Sequence, residues 1–260
     1  MPSTSESFIF KLAKAAESNI ADGYYEVKSH DLPRRSLKGS ILRSKHTPLI
    51  AEIKFTSPAE GRLRSVGDVR AIARAYERGG VSGISVLTEP KYFDGDIGYL
   101  PLVKQASKVP VLMKDIMIDP LQIDAGAKMG ADAILLIVSI FAHKLARASL
   151  DEMLSYAHSR GLEVLLEAHT EKEYEVALGA GADVVGINNR NLGSLKVSLE
   201  TSKRLLKRGP HGTPVISESG IQNRDQILEL SSLGANGFLV GSALMRSRDL
   251  ELKVKALTGA

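Results

Sequence analysis

The chain of 260 residues has no cysteine and no tryptophan, and only 5% of its residues are aromatic. The absence of thiols excludes disulfides, thiolate metal sites and cysteine nucleophiles, and it suits a cytoplasmic location. The longest apolar stretch, residues 133–142, is about half as long as a membrane-spanning helix. Because no basic segment precedes an apolar core near the N-terminus, we expect no secretory signal and no membrane partner.

Three common functional motifs are absent as well. No GxGxxG follows the first predicted strand, and the chain contains no Walker loop and no GxSxG nucleophile motif. The histidines show no pairwise metal-ligand spacing, which argues against a metal site; they are His30, His46, His143, His158, His169 and His211. His169 alone lies near the predicted active end, and we interpret it as a loop residue.

The net charge is +4, and a basic cluster precedes the first predicted strand. It consists of Lys28, Arg34, Arg35, Lys38, Arg43 and Lys45, opposed by Asp31. Such a cluster is either a solvated segment or a site for an anion, such as nucleic acid or a phosphorylated small molecule. No aromatic residue lies between Arg34 and Lys45, which disfavours a stacking platform, and we expect no nucleic-acid partner.

The chain repeats itself weakly. The phrases RGGVSGISV, MGADAILLIV, AGADVVGIN and LGANGFLVG begin at Arg78, Met129, Ala180 and Leu233, which are 51 to 53 residues apart. Each is typical of a helix end closed by glycine, a turn and a strand, and one further strand and helix fit between copies. Four copies give eight βα modules, which predicts an α/β fold, the (β/α)8 TIM barrel, with an open doubly wound sheet as the alternative.

The predicted strands are eight apolar runs, at residues 48–55, 83–89, 109–116, 133–140, 163–169, 184–190, 213–220 and 237–244. Helices are predicted over residues 66–79, 145–160, 198–208 and 223–233, with Ser198 and Asn223 as N-caps. Residues 5–19 have the spacing of an amphipathic helix. We therefore expect residues 1–47 to form an N-terminal helical extension packed on a barrel of residues 48–260, within a single domain.

Charged residues end the first of these runs. Glu52 and Lys54 are two residues apart, so they share a face with Ile50, which we expect to point into the barrel. A lysine beside a glutamate stays charged and can bind an anion or donate a proton. A purely structural ion pair is the alternative.

Lys114 and Glu167 end the third and fifth runs, and each follows three apolar residues. Burial lowers the pKa of a lysine, which suits proton donation or Schiff-base formation. Burial raises the pKa of a carboxyl group and nearby cations lower it, so Glu167 is a candidate acid or base. The alternative for Lys114 is a surface side chain.

Asn188 and Arg190 share one face at the end of the sixth run, and we interpret them as substrate clamps. Asn189 points the other way, which favours a structural role. Glu218 ends the seventh run and completes the set of charges at strand ends.

Small residues follow the last two strands. Ser219 and Gly220 begin the loop after the seventh strand, and Gly241 and Ser242 end the eighth before a predicted short helix. Small residues let backbone N–H groups approach an anion, and these two loops commonly bind phosphate in this architecture. We therefore predict a phosphate site between them.

Together these motifs resemble a known family. IAEIKFTSP, SVLTEPKYFDG, VPVLMKDIMI, ILLIV, LLEAH, GINNRNL, ISESGI and FLVGSALM are similar, in order, to the strand motifs of indole-3-glycerol phosphate synthase. The resemblance implies a (β/α)8 barrel with an N-terminal helical segment, acting in tryptophan biosynthesis without metal or organic cofactor. The implied reaction is ring closure, decarboxylation and dehydration of the phosphorylated small molecule 1-(2-carboxyphenylamino)-1-deoxyribulose 5-phosphate.

The resemblance also implies roles for individual residues. Lys114 would be the general acid at the ketone, and Glu167 the acid/base group of the later steps. Lys54 would hold the substrate carboxylate, and both Lys54 and Glu167 are candidates for the acid in the dehydration. Glu52 would orient Lys54, and Glu218 would support the lysine network. The remaining substrate contacts would be Ser57, Phe93, Asn188, Arg190, Ser219, Gly220, Gly241 and Ser242.

Two departures from the family pattern concern the walls of the site. Phe55 and Thr56 stand where many members have basic residues, and Ile116 stands where many have phenylalanine. We expect these changes to alter affinity and not the reaction. The alternatives are another phosphate-binding barrel (phosphoribosylanthranilate isomerase, ribulose-phosphate epimerase or a Schiff-base aldolase) and a non-catalytic anion- or RNA-binding protein. A monomer is favoured over a weak dimer.

Overall fold

The computed structural model describes residues 8–209 and 212–260. Eight parallel strands close into a barrel, in which each strand pairs with the next and the first pairs with the eighth. In chain order they are Leu49–Ile53, Gly83–Leu87, Val111–Lys114, Ala133–Ile137, Glu163–Ala168, Val184–Asn188, Val215–Glu218 and Gly237–Val240. The predicted (β/α)8 barrel is confirmed, and the open sheet is not formed.

One outer helix follows each strand. These helices are Val69–Arg78, Tyr99–Ala106, Pro120–Lys128, Leu150–Ser159, Glu171–Gly179, Glu200–Leu206, Arg224–Ser232 and Leu250–Thr258. Shorter helices lie at Pro90–Phe93, Val138–Ala142 and Ser242–Met245, and a small hairpin pairs Thr56–Ser57 with Gly61–Arg62. The extension contributes helices Phe8–Ala21 and Leu37–Leu42. Among the described residues no helix is both long and apolar enough to cross a membrane.

Several predicted boundaries need correction. The fourth apolar run stops being a strand at Ile137, and its remainder turns into helix Val138–Ala142; an apolar run alone cannot distinguish the two. The helix predicted over residues 145–160 begins only at Leu150, where Ser149 caps it. Ser198 caps no helix, because Leu199 occupies the cap position. Asn223 does cap its helix, accepting a hydrogen bond from Gln226 N at 3.0 Å. The start of the helix predicted over residues 5–19, and His211, lie outside the described residues.

Side chains alternate between the two faces of each strand, so the barrel wall lies between two apolar cores. One set points outward and packs under the helices. The other set fills the barrel interior and includes Ile50, Leu112, Leu135, Leu165, Ile216 and Leu239, all at most 4% exposed. A residue two positions after each of these points inward as well, one layer closer to the strand ends. That layer contains Glu52, Lys114, Ile137, Glu167, Glu218 and Gly241.

The extension is attached to the barrel by Arg34 and Arg35. The guanidinium of Arg34 donates to the carbonyls of Ala127 and Ala131, and that of Arg35 donates to the carbonyls of Ser107 and Val109. These carbonyls lie at or just beyond the C-terminal ends of two outer helices, where cations are favoured. Two arginines of the basic cluster therefore bind backbone carbonyls, which argues against the anion-site interpretation.

A buried ion pair lies beside this attachment. Lys104 pairs with Asp132, and both side chains are 0% exposed. Asp132 also accepts hydrogen bonds from the backbone N–H groups of Arg35 and Val111, each at 2.7 to 2.8 Å. The carboxylate is thus fully satisfied, as a buried charge requires. These contacts support our proposal that the segment before Pro48 and the barrel fold as one domain.

Candidate active site

A cavity of about 430 Å³ opens at the C-terminal ends of the barrel strands. All thirteen predicted site residues line it: Glu52, Lys54, Ser57, Phe93, Lys114, Glu167, Asn188, Arg190, Glu218, Ser219, Gly220, Gly241 and Ser242. They come from seven of the eight strands or the segments that follow them, and the fourth strand contributes none. The alternation of side chains along each strand brings these distant residues to one place.

Lys114 occupies the centre of the charged cluster. Its Nζ lies 3.1 Å from Oε2 of Glu167 and 3.2 Å from Oε2 of Glu218. The two carboxylates are 2% and 1% exposed, whereas the lysine is 15% exposed, toward the cavity. The ammonium group is thus held by two buried anions and presents its remaining face to a ligand.

The charge state of Lys114 differs from the sequence-based expectation. Burial by itself lowers the pKa, but Glu167 and Glu218, with a smaller effect from Glu52, outweigh burial and raise the pKa above its ordinary value. The predicted lowering is wrong, because it counted the apolar residues beside Lys114 and none of the carboxylates facing it. The carboxylates that face Lys114 therefore favour its charged form.

Glu167 is held as an anion by two cations. Burial raises the pKa of its carboxyl group, but Lys114 and then His169 overcome that effect and bring the pKa below its ordinary value. Nε2 of His169 lies 3.2 Å from Oε1 of Glu167, and its Nδ1 lies 3.2 Å from Glu173. Burial lowers the pKa of His169, but the two glutamates raise it to about 9. His169 lies in the loop after the fifth strand, as predicted, and it is also a buried partner of Glu167.

The pKa of Glu218 is shifted in the opposite direction from that of Glu167. Burial raises the pKa of its carboxyl group, and although Lys114 opposes this effect, the neighbouring charge of Glu167 adds to it and the pKa stays above its ordinary value. Its Oε1 has no hydrogen-bond partner among the residues that the structure describes. The carboxylate packs over Gly186 so closely that a Cβ there would lie 2.0 Å from Oε1. Gly186, which the sequence analysis missed, makes the room that Glu218 occupies.

Glu52 and Lys54 form the predicted pair, with Nζ 2.7 Å from Oε1. The glutamate is 3% exposed and the lysine 14% exposed, so Lys54 also faces the cavity. A Cβ on Gly241 would lie 2.4 Å from Oε1 of Glu52. The glycine after the eighth strand therefore has a packing role toward the first strand, in addition to its place in the predicted phosphate loop.

The end of the sixth strand is organised by its own polar groups. Oδ1 of Asn188 accepts a hydrogen bond from Arg190 N at 2.9 Å, and Nη1 of Arg190 donates to the carbonyl of Leu195 at 3.1 Å. Asn189 is buried on the other side, and its amide donates to the carbonyls of Glu218 and Ser219 at 2.9 and 3.1 Å. Asn189 thus fixes the end of the seventh strand.

Ser219 and Gly220 both adopt left-handed backbone conformations, with φ of 65° and 84°. Such a conformation costs about 1 to 3 kcal/mol at a non-glycine residue, and the hydrogen bond from Asn189 to the carbonyl of Ser219 helps to hold it. A Cβ at Gly220 would lie 2.5 Å from Val197. The turn therefore leaves no room for a side chain at position 220 and holds Ser219 in a conformation that glycine adopts more easily.

Apolar side chains form another part of the cavity wall, and the fourth strand lies between the strands that carry Lys114 and Glu167. Leu135 and Ile137 of the uncharged fourth strand line the cavity, as do Ile116 and Phe93. Phe93 lies on helix Pro90–Phe93, whose first turn is fixed by hydrogen bonds from backbone N–H groups to the buried carboxylate of Glu89. The cavity thus combines cations with a surface suited to an aromatic ring.

A family model described as indole-3-glycerol phosphate synthase matches residues 11–257 of the chain. The chain belongs to the indole-3-glycerol phosphate synthase family. It is therefore a carboxy-lyase of tryptophan biosynthesis that acts on a phosphorylated substrate.

Individual relatives agree with this family. The indole-3-glycerol phosphate synthase of Caldanaerobacter subterraneus subsp. tengcongensis is 43% identical over 228 residues, which cover 87% of each chain. That of Shouchella clausii is 43% identical over 219 residues, or 84% of each chain. Among solved structures, thiamine phosphate pyrophosphorylase from Pyrococcus furiosus superposes with a TM-score of 0.58 at 20% identity, covering 83% of this chain and 95% of that one. The last likeness concerns the fold alone.

Some residues at the site were not predicted. Phe8 and Leu12 of the first helix, and Leu192 after the sixth strand, line the cavity beside the apolar wall. The amphipathic pattern of residues 5–19 was a signal for the helix but not for its position over the cavity. Glu60 also lines the cavity, and its position beside Ser242 is considered below. Among the described residues, no group of three potential ligands could hold a metal ion.

Proposed function

We propose that the cluster around Lys114 performs the ring closure of 1-(2-carboxyphenylamino)-1-deoxyribulose 5-phosphate. The observation that carries this proposal is a lysine ammonium held at 3.1 and 3.2 Å by two buried carboxylates, facing an apolar-walled cavity. The ring carbon that bears the carboxylate attacks the ketone carbon, and Lys114 gives a proton to the ketone oxygen. A raised pKa makes Lys114 a donor only when that oxygen gains charge, as in the transition state.

Glu167 and Lys54 are the proposed base and acid of the later steps. Loss of carbon dioxide returns the electrons of the broken bond to the ring. The new hydroxyl group then leaves as water, and a proton leaves the carbon next to nitrogen. Glu167 is ionised by Lys114 and His169, which supports its role as the base. Lys54 is the proposed acid, since it faces the cavity as a partner of Glu52.

The remaining residues are proposed to bind and orient the substrate. Lys54 holds the benzoate before decarboxylation, and Phe93 packs against its ring. Asn188 and Arg190 clamp the ribulose chain. The phosphate lies between the loops after the first, seventh and eighth strands, contacted by Ser57, Ser219, Gly220, Gly241 and Ser242. Because one chain supplies every one of these groups, we propose that a monomer is sufficient for turnover and, given its biosynthetic role, that it works in the cytoplasm.

A direct assay tests this function. The chain has no tryptophan, so the fluorescence of the indole product rises over a weak tyrosine background. We expect purified enzyme, treated with a chelator, to produce this signal from the carboxyphenylamino substrate. Absence of the product by fluorescence and mass spectrometry would disprove the proposed reaction.

Two variants test the assigned roles. We expect Lys114→Ala and Glu167→Gln each to lower kcat by at least about 10²-fold, the usual contribution of general acid–base catalysis. Lys172→Ala is the control, because Lys172 is exposed on helix Glu171–Gly179 away from the cavity. Rates near wild type in both site variants would refute the roles.

A Schiff-base aldolase is the second candidate on this fold. Such chemistry needs a neutral lysine amine, whereas Glu167 and Glu218 keep the pKa of Lys114 raised. We therefore expect borohydride to trap no adduct with a carbonyl substrate. A trapped adduct at Lys114 would favour the aldolase.

A further inference from the structure

Glu60 lies inside the proposed phosphate site. Its Oε2 accepts a hydrogen bond from Oγ of Ser242 at 2.5 Å and lies 3.6 Å from Nη2 of Arg190. Its Oε1 lies 3.6 Å from Nη1 of Arg246. One hydroxyl group and two guanidinium groups therefore surround an anionic side chain of the protein itself.

The backbone around Glu60 allows this side chain to move out of the proposed phosphate site. It stands at the tip of the hairpin that pairs Thr56–Ser57 with Gly61–Arg62, and two such short strands are only marginally stable. Gly61 follows with φ of 68°, and within residues 8–209 and 212–260 no atom lies within 4 Å of a Cβ built on it. Glu60 itself is 23% exposed. A change of side-chain rotamer, or a small movement of the tip, suffices to withdraw the carboxylate.

We propose that Glu60 is an internal anion that occupies the phosphate subsite of the empty enzyme and must withdraw before the substrate phosphate binds. The inference rests on the phosphate subsite proposed above. A carboxylate and a phosphate cannot both accept from Ser242, because like charges at such distances repel. Glu60 thereby weakens the binding of any small anion, and a ligand that also engages the rest of the cavity displaces it more readily.

Inorganic phosphate is the probe for this proposal. Its dissociation constant is measured by isothermal titration calorimetry at constant pH and ionic strength for wild type, Glu60→Gln and Glu60→Ala. A unit charge about 4 Å away in water is worth about fivefold in affinity, so we expect both variants to bind phosphate at least about fivefold more tightly. The KM for the substrate should fall in the same variants.

Glu251→Gln is the matched control. Glu251 also contacts two cations, Arg78 and Lys255, at 29% exposure, but it lies outside the cavity. Its phosphate affinity should stay within twofold of wild type. The glutamine variant keeps the shape of Glu60, and circular dichroism is recorded to check that both Glu60 variants are folded.

The outcomes separate this inference from the proposed function. Equal or weaker phosphate binding in Glu60→Gln overturns the inference, as does tighter binding that does not compete with the substrate. Tighter, competitive binding supports it. If the substrate binds without turnover while Glu60→Gln still tightens phosphate, the proposed reaction fails and the role of Glu60 stands.

Discussion

Replacing Gly186 with alanine would place a methyl group 2.0 Å from Oε1 of Glu218. The carboxylate would have to move by about 1.5 Å to restore ordinary van der Waals contact. Leu165 blocks one direction, because its Cδ1 would lie 3.3 Å from the new Cβ. The movement therefore disrupts the 3.2 Å contact between Glu218 and Lys114. A misplacement of about 1 Å costs about 10² in rate, and we expect kcat of Gly186→Ala to fall by about that factor.

The same variant should remain folded. Gly186 has ordinary strand backbone, so alanine adds no conformational strain, and overpacking of this kind costs about 1 to 3 kcal/mol in stability. Gly179→Ala is the matched control, because a Cβ there meets no atom of the described part of the chain within 4 Å. It ends a helix, where alanine should stabilise by up to about 1 kcal/mol. The indole fluorescence assay gives kcat, and urea unfolding gives the stability of both variants.

The refuting result is a folded Gly186→Ala enzyme with kcat within about twofold of wild type. It would mean that the position of Glu218 beside Lys114 does not matter for catalysis. A loss of kcat in Gly179→Ala would equally show that the assay reports general damage. Glu218→Gln, which removes the charge but keeps the shape, should lower kcat in the same direction as Gly186→Ala.

Two further predictions concern stability. The pKa of His169 is raised to about 9, so its ion pairs stabilise the fold fully below its ordinary pKa of about 6.5 and lose that contribution as pH rises through about 9. The stability difference between wild type and His169→Gln, up to about 3 kcal/mol, should vanish over that range in urea titrations, and a pH-independent difference would contradict the ion pairs. Arg35→Ala should lower the free energy of unfolding by about 2 kcal/mol, because two carbonyls lose a charged donor. The exposed Lys45→Ala should change it by less than about 0.5 kcal/mol, and equal effects in the two variants would refute the attachment.

Much of the architecture follows from local sequence patterns. The period of the four phrases predicted eight βα modules, and the positions of Glu52, Lys114 and Glu167 at the ends of apolar runs predicted a shared cavity. These inferences succeed because a parallel barrel places every strand end at the same face. The end of the fourth strand at Ile137 was not predictable in this way, because valine and isoleucine are as compatible with a buried helix turn as with a strand.

The electrostatics of the site were not predictable from local patterns. The sign of the pKa shift at Lys114 depends on carboxylates 53 and 104 residues away in the chain. The role of His169 depends equally on the fold, since its ring reaches back to Glu167 and forward to Glu173 only in this loop conformation. The requirement for glycine at position 186 depends on Glu218 of the neighbouring strand, and no local pattern reveals that contact.

The interior layer beneath the charges also determines where protons can come from. Ile50, Leu112 and the other aliphatic side chains of that layer carry no titratable group. Conversion of the substrate carboxylate to carbon dioxide, with loss of water, consumes one proton per turnover. The aliphatic layer cannot donate that proton. Lys114 and its neighbours must therefore take it up from solvent, through the open side of the cavity. The open side of the cavity is therefore both the entrance for the substrate and the route by which the site regains its proton after each turnover.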